Sequence, residues 1–261
     1  MSEAKDRFTG RVADYERYRT RYPAQVIDIL SERCGLMREA QVADIGAGTG
    51  MLSELFLEYG NSIVAIEPND EMRAVSERLA QAWPGFLVKK GIAEATGLED
   101  SSVDYVVAGR AFHWFDPEPA KVEFKRILRP EGWVVLVTNS RVRDESPQSL
   151  DYEALLREHG MDYKENRERY EIAPKIDSFF AGGEVFREEI SGEQRLTLED
   201  LIGLTQSLSV SPLPGDPRYP GMRKALDEFF SKWEREGTVV IATVCRIACG
   251  RFTQQTKSVM G

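Results

Sequence analysis

The stretch Val42-Ala43-Asp44-Ile45-Gly46-Ala47-Gly48-Thr49-Gly50, followed one helix later by Ile63-Val64-Ala65-Ile66-Glu67, leaves this chain few folds to choose from. It reads as a short apolar strand, a turn of three glycines, a helix and a second apolar strand that ends on a carboxylate. A βαβ unit of this kind puts the first turn and the tip of the second strand on one edge of a parallel sheet. Glycines there let a ligand approach bare backbone, and the acidic tip can accept from two ribose hydroxyls. An adenosine-like ligand is expected at that edge.

The glycine spacing narrows the choice of ligand. A dinucleotide fingerprint runs G-x-G-x-x-G, whereas this turn runs G-x-G-x-G with Met51 in the place of the third glycine. A phosphate loop would carry Lys after its last glycine, and none follows Gly50. Pyrophosphate and triphosphate ligands are therefore disfavoured. The run Asp44 to Gly50 together with Glu67 resembles the class I S-adenosylmethionine-dependent methyltransferases. That resemblance implies S-adenosylmethionine as cofactor and S-adenosylhomocysteine as product, held by Asp44, Gly46, Ala47, Gly48, Gly50, Glu67 and Pro68. A purely structural glycine turn, with Glu67 a plain strand-end carboxylate, is the alternative.

Alternating strand and helix patterns continue downstream, which implies an α/β fold with a mostly parallel sheet covered on both faces. Asn69 can cap a helix carrying Met72, Val75 and Leu79 inward, Phe86 to Val88 reads as a third strand, and Val103 to Ala108 as a fourth. Asp116-Pro117 supplies a cap and first-turn proline for a helix ending before Pro130, and Trp133 to Val137 reads as strand five. Further on, Val185 to Ile190 reads as strand six. Thr197 and Asp200 resemble a capping box, Met222, Leu226, Phe229, Phe230 and Trp233 form a helical stripe, and Thr238 to Cys249 is a long apolar strand. The resemblance implies a Rossmann-like seven-stranded methyltransferase sheet whose last strand is antiparallel. One domain over residues 1–261 is expected, with cofactor-covering helices at 1–35 and a substrate-cap insertion at 141–184.

Composition bounds the partners. A net charge of −9 argues against a nucleic-acid substrate, since phosphate binding needs concentrated positive charge, although Arg11, Arg17, Arg19 and Arg21 form a local exception. No apolar run approaches the ~20 residues of a membrane span, and the polar start is no signal peptide, so a cytoplasmic protein without membrane partners is expected. Three cysteines without a C-x-x-C pair, and only two histidines, make a metal site improbable. Cys245 and Cys249 would lie ~13 Å apart on a strand, too far to bridge, and all three read as small buried hydrophobes.

Three further motifs fall in register with the family. Gly91-Ile92-Ala93-Glu94 matches the segment that holds the adenine ring, implying contacts from Ile92, Ala93 and Glu94. Many relatives carry Asp where this chain has Ile92, so the adenine amino group needs another acceptor, Glu94 or a backbone carbonyl. Arg126 to Trp133 matches a structural turn of the family in which proline stops the helix and glycine turns the chain. The loop Gly109-Arg110-Ala111-Phe112-His113-Trp114-Phe115-Asp116 follows strand four, where ligands of open α/β sheets bind. It resembles a small-molecule subgroup that includes trans-aconitate methyltransferase-like proteins. Arg110 and Ala111 are then cofactor neighbours, Trp114 a substrate contact, and His113 a substrate contact and candidate general base. Core packing of these rings is the alternative.

At the N-terminus, Tyr15, Tyr18 and Tyr22 recur at i, i+3 and i+7, so one helix face would present three phenols beside Arg19. The family's Y-x-x-x-R-x-x-Y-P lead-in is similar, which implies that Arg19 pairs the methionine carboxylate, with Tyr15 on the cofactor and Tyr22 on the substrate. A solvated amphipathic helix covering apolar surface fits the same residues. The implied reaction is in-line methyl transfer to an oxygen, nitrogen or carbon of a small-molecule acceptor, carboxylic acids included. A non-catalytic S-adenosylmethionine-binding protein, an NAD(P)-dependent oxidoreductase and an RNA methyltransferase are the rival expectations.

Overall fold

The computed structural model of the chain describes residues 10–164, 168 and 172–253. Its strands are β1 (Gln41–Ile45), β2 (Ser62–Ile66), β3 (Phe86–Lys89), β4 (Val103–Gly109), β5 (Leu128–Arg141), β6 (Glu184–Leu196) and β7 (Val239–Arg251). They form one seven-stranded sheet in the order β3-β2-β1-β4-β5-β7-β6, six strands parallel and the last antiparallel. The helices are α1 (Val12–Tyr18), α2 (Gln25–Cys34), α3 (Met51–Tyr59), α4 (Asp70–Ala80), α5 (Pro117–Ile127), α6 (Pro147–His159), α7 (Ala173–Phe179), α8 (Leu198–Gln206) and α9 (Tyr219–Trp233). The described residues divide into two compact units, one of residues 23–138, 172–188 and 246–253, the other of residues 10–22, 139–164, 168 and 189–245. Residues 1–9 of the expected N-terminal cover, and 165–167 and 169–171 of the expected cap, lie outside the described residues.

In the first unit β1 is buried on both faces from Val42 to Ile45, because parallel neighbours flank it and helices cover the sheet. In-register pairing of Ile45 with Ile66 brings the carboxyl ends of β1 and β2 level. The core joins Ile45, Ile66, Val106, Phe112, Phe124, Val134, Phe179 and Phe180. Part of the stretch expected as an insertion, α7 with Ile176 and Phe179, thus belongs to this core. Asn69 caps α4 as expected, its side chain accepting from the Met72 amide at 2.9 Å.

Two local expectations fail for physical reasons. The Asp116 side chain makes no cap bond on α5, and its backbone amide donates to Glu94 Oε1 at 2.8 Å. Strand five begins at Leu128, not Trp133, and slips register against β4 between Val103 and Tyr105. The left-handed residue of that turn is Glu131 (φ 66°), and Gly132 serves close approach, since a Cβ there would lie 2.9 Å from the Asp104 carbonyl oxygen.

The second unit packs Tyr152, Leu156, Leu201, Met222, Leu226 and Phe229 from α6, α8 and α9. The capping box of α8 is present, with Thr197 and Asp200 exchanging bonds. Arg11 donates to the Gln206 and Ser211 carbonyls, and Arg19 to the Ser207 carbonyl at 2.7 Å, so two cations complement the C-terminus of α8. Arg17 pairs with Glu199. The arginine cluster of the sequence is therefore largely committed to folding this unit. Helix α1 stops at Tyr18, and Arg19 is extended (ψ 139°), so Tyr22 does not share a helix face with Tyr15 and Tyr18. Pro23 restrains Tyr22 away from helical backbone, and the carbonyl partner of Arg19 draws the chain out of the helix. Among the described residues no helix is long and apolar enough to cross a membrane, and no group of acidic, His or Cys side chains could hold a metal.

Candidate cofactor site

The expected residues of the first unit converge at the carboxyl ends of β1, β2 and β4. Gly46, Gly48 and Gly50 all adopt positive φ, at 69°, 61° and 85°. Gly46 is the most constrained: a Cβ there would sit 2.6 Å from the Ala111 Cβ, so the turn after β1 and the loop after β4 touch through bare backbone. The Gly46 and Ala47 amides both donate to the Ile66 carbonyl, which ties the turn to the tip of β2. Gly46, Ala47, Gly48, Pro68, Ile92, Glu94, Arg110 and Trp114 are all half-buried, whereas Asp44, Gly50, Glu67, Ala93, Ala111 and His113 are buried.

Glu67 is fixed by backbone. Its Oε2 accepts from the Gly48 amide at 2.8 Å and its Oε1 from the Asn69 amide at 2.7 Å. Burial pushes this carboxyl above the ordinary range, and the two amide bonds oppose the shift. Each oxygen keeps a lone pair for a further donor, as a diol requires.

Asp44 is wholly buried, and burial lifts its pKa to about 7, opposed by a 2.6 Å bond from Ser53 Oγ. Its Oδ1 has no hydrogen-bond partner among the described residues. A buried carboxylate with one oxygen unsatisfied beside a glycine cradle suits a cationic ligand group. Ser53 was not legible as a site residue, although a hydroxyl in the first turn of α3 facing β1 was a usable signal. Ser76 was also missed; its hydroxyl donates to the Gly48 carbonyl at 2.8 Å and braces the cradle from α4.

After β3, Ile92 and Ala95 pair in a single bridge, so the Ile92 carbonyl is occupied by the Ala95 amide. Glu94 accepts from the Asp116 amide, linking this segment to the loop after β4. In that loop Arg110 adopts φ 54° and its amide bonds the Val137 carbonyl. His113, 5% exposed, lies in a short 3-10 turn (Phe112–Trp114) with its ring 5.0 Å from the Trp114 ring. Phe112 packs edge-on against Phe115 and Phe179, so the sequence FHWF divides into two buried rings, Phe112 and His113, and two half-buried ones, Trp114 and Phe115. In the second unit Arg19 lies over the Tyr15 ring at 4.8 Å.

Sheet order, glycine cradle and acidic strand tip define a Rossmann-like α/β protein of the methyltransferase type. The chain belongs to the methyltransferase family. The family model described as a methyltransferase domain matches residues 43–136, and an uncharacterized methyltransferase of Schizosaccharomyces pombe is 30% identical over 85% of this chain and 86% of its own length. A methyltransferase of Mycobacterium tuberculosis is 41% identical over 51% of this chain, a match spanning about half (52%) of that relative's length. In fold, the chain is similar to a type II methyltransferase structure from Anaeromyxobacter dehalogenans, at a TM-score of 0.59, 20% identity and coverage of 89% of this chain and 97% of that one.

Proposed function

We propose that this chain transfers a methyl group from S-adenosylmethionine to a small-molecule acceptor. The observation that carries this reading is the Gly48–Glu67 pair: a left-handed glycine whose amide orients a buried strand-tip carboxylate beside the glycine turn. In this reading Glu67 holds the ribose diol, Asp44 faces the cationic end of the cofactor, and Ile92, Ala93 and Glu94 border the adenine. Bound S-adenosylmethionine supplies an electrophilic methyl group. The chain's own part is to align the acceptor and exclude water. Calorimetry tests the reading: micromolar binding of S-adenosylmethionine and S-adenosylhomocysteine is expected, and no binding of either overturns it.

The acceptor we favour is a small carboxylic acid, with the half-buried Arg110 as its charge partner, in keeping with the trans-aconitate-like loop. A carboxylate attacks without a base, so His113→Gln is expected to keep turnover within about threefold. A fall of about 10²–10⁴-fold in kcat with little change in KM would instead make His113 the general base and point to a hydroxyl or amine acceptor.

A further inference from the structure

The spacing of Cys245 and Cys249 rules out a bridge between them, yet the tertiary structure supplies a different pair. Cys34, at the end of α2, and Cys249, on β7, are separated by 215 positions, and their sulfurs lie 2.9 Å apart as free thiols. Cys34 is 9% exposed and Cys249 0%. Both belong to the first unit. The Tyr105 hydroxyl donates to the Cys34 carbonyl at 2.8 Å, and Tyr105 pairs in register with Val42 at the start of β1. The thiols therefore sit near the amino-terminal ends of β1 and β4, and the cofactor cradle at their carboxyl ends. From Tyr105 to Gly109 that is about 13 Å of strand.

We propose that Cys34 and Cys249 form a reversible disulfide that staples the first unit at the sheet edge remote from the cofactor site. The co-reactant is a small-molecule disulfide of the glutathione type. Cys34, the more exposed of the two residues, attacks one sulfur of it as thiolate, forms a mixed disulfide and expels one thiolate. Cys249 then attacks the Cys34 sulfur, a Cys34–Cys249 bond forms, and the second small thiolate leaves with the Cys249 proton. Two electrons pass from the cysteine pair to the small disulfide, which becomes two thiols. Burial pushes the Cys249 thiol well above its ordinary range, with Arg251 opposing, which keeps it protonated and disfavours its attack, so the second step is driven by the 2.9 Å approach of the two sulfurs. Cys245 is buried in its own surroundings, its pKa lifted to about 12, and has no part in the exchange.

The test incubates the folded full chain with graded ratios of oxidised to reduced glutathione and follows intact mass and alkylation. Expected are a mass lower by two hydrogen atoms, a Cys34–Cys249 cross-linked peptide pair, and, on alkylation after unfolding in denaturant, Cys245 as the single alkylated thiol. Closing so long a loop constrains the unfolded chain, so Tm should rise by about 5–15 °C and return on reduction. Cofactor affinity should stay within twofold. Cys34→Ser and Cys249→Ala, made separately, should each abolish the mass change and the Tm gain. Three alkylatable thiols throughout, a Cys34–Cys245 pair, or a stable mixed disulfide with glutathione would overturn the proposal.

Discussion

Glu67→Gln is expected to weaken S-adenosylmethionine binding by about a hundredfold, the largest single loss in the cofactor site. A hydrogen bond to a charged group contributes roughly 1.5–3 kcal/mol, and the substitution removes the charge from the carboxylate proposed to accept from both ribose hydroxyls. It also places an NH₂ donor where one of two backbone donors now points, because the Gly48 and Asn69 amides each occupy one carboxylate oxygen. The turn after β1 should loosen together with the ribose contact. Calorimetry checks the affinity, and circular dichroism confirms that the sheet persists. A dissociation constant within threefold of wild type would remove Glu67 from the cofactor site.

Asp44→Asn should separate stability from binding. The unfolded carboxyl titrates near 3.8, the folded one at about 7, so below about pH 4 both states hold the proton and the residue is neutral in effect. As pH rises from 4 to 7 the unfolded state loses its proton first, stability falls, and the penalty is complete above 7. Three pH units correspond to roughly 4 kcal/mol as an upper figure. Asp44→Asn is therefore expected to raise the Tm of the ligand-free protein by roughly 5–10 °C at pH 8 and by little at pH 4.5. The same variant should bind S-adenosylmethionine at least about tenfold more weakly, because a cationic ligand favours the ionised carboxylate. Wild type should release a proton on binding near pH 6, read as a dependence of binding heat on buffer ionisation, and Asp44→Asn should not. Equal Tm values at pH 8 would place the Asp44 charge in a better solvated setting.

The cradle was legible because its requirements are local. Gly46, Gly48 and Gly50 are the residues that tolerate left-handed backbone, and a carboxylate one βαβ unit later lands beside them whatever the remainder of the chain does. The Asn69 cap and the Thr197–Asp200 box were readable for the same reason, since each is closed within one helical turn. The register slip at the start of β5 was not, because it depends on how Gly132 meets the Asp104 carbonyl on another strand.

Residues that act through distant partners required the fold. Ser53 takes its meaning from Asp44, Arg19 from the Ser207 carbonyl, and Cys34 from a sulfur 215 positions away. Side-chain chemistry and short-range backbone freedom are written in the order of residues, so the sequence by itself determined the sheet type, the cradle and its acidic partner. Burial and long-range juxtaposition arise only when strands and helices pack. Tertiary structure therefore decided which carboxylate is held near neutrality, which arginines cap a helix, and which cysteines can meet.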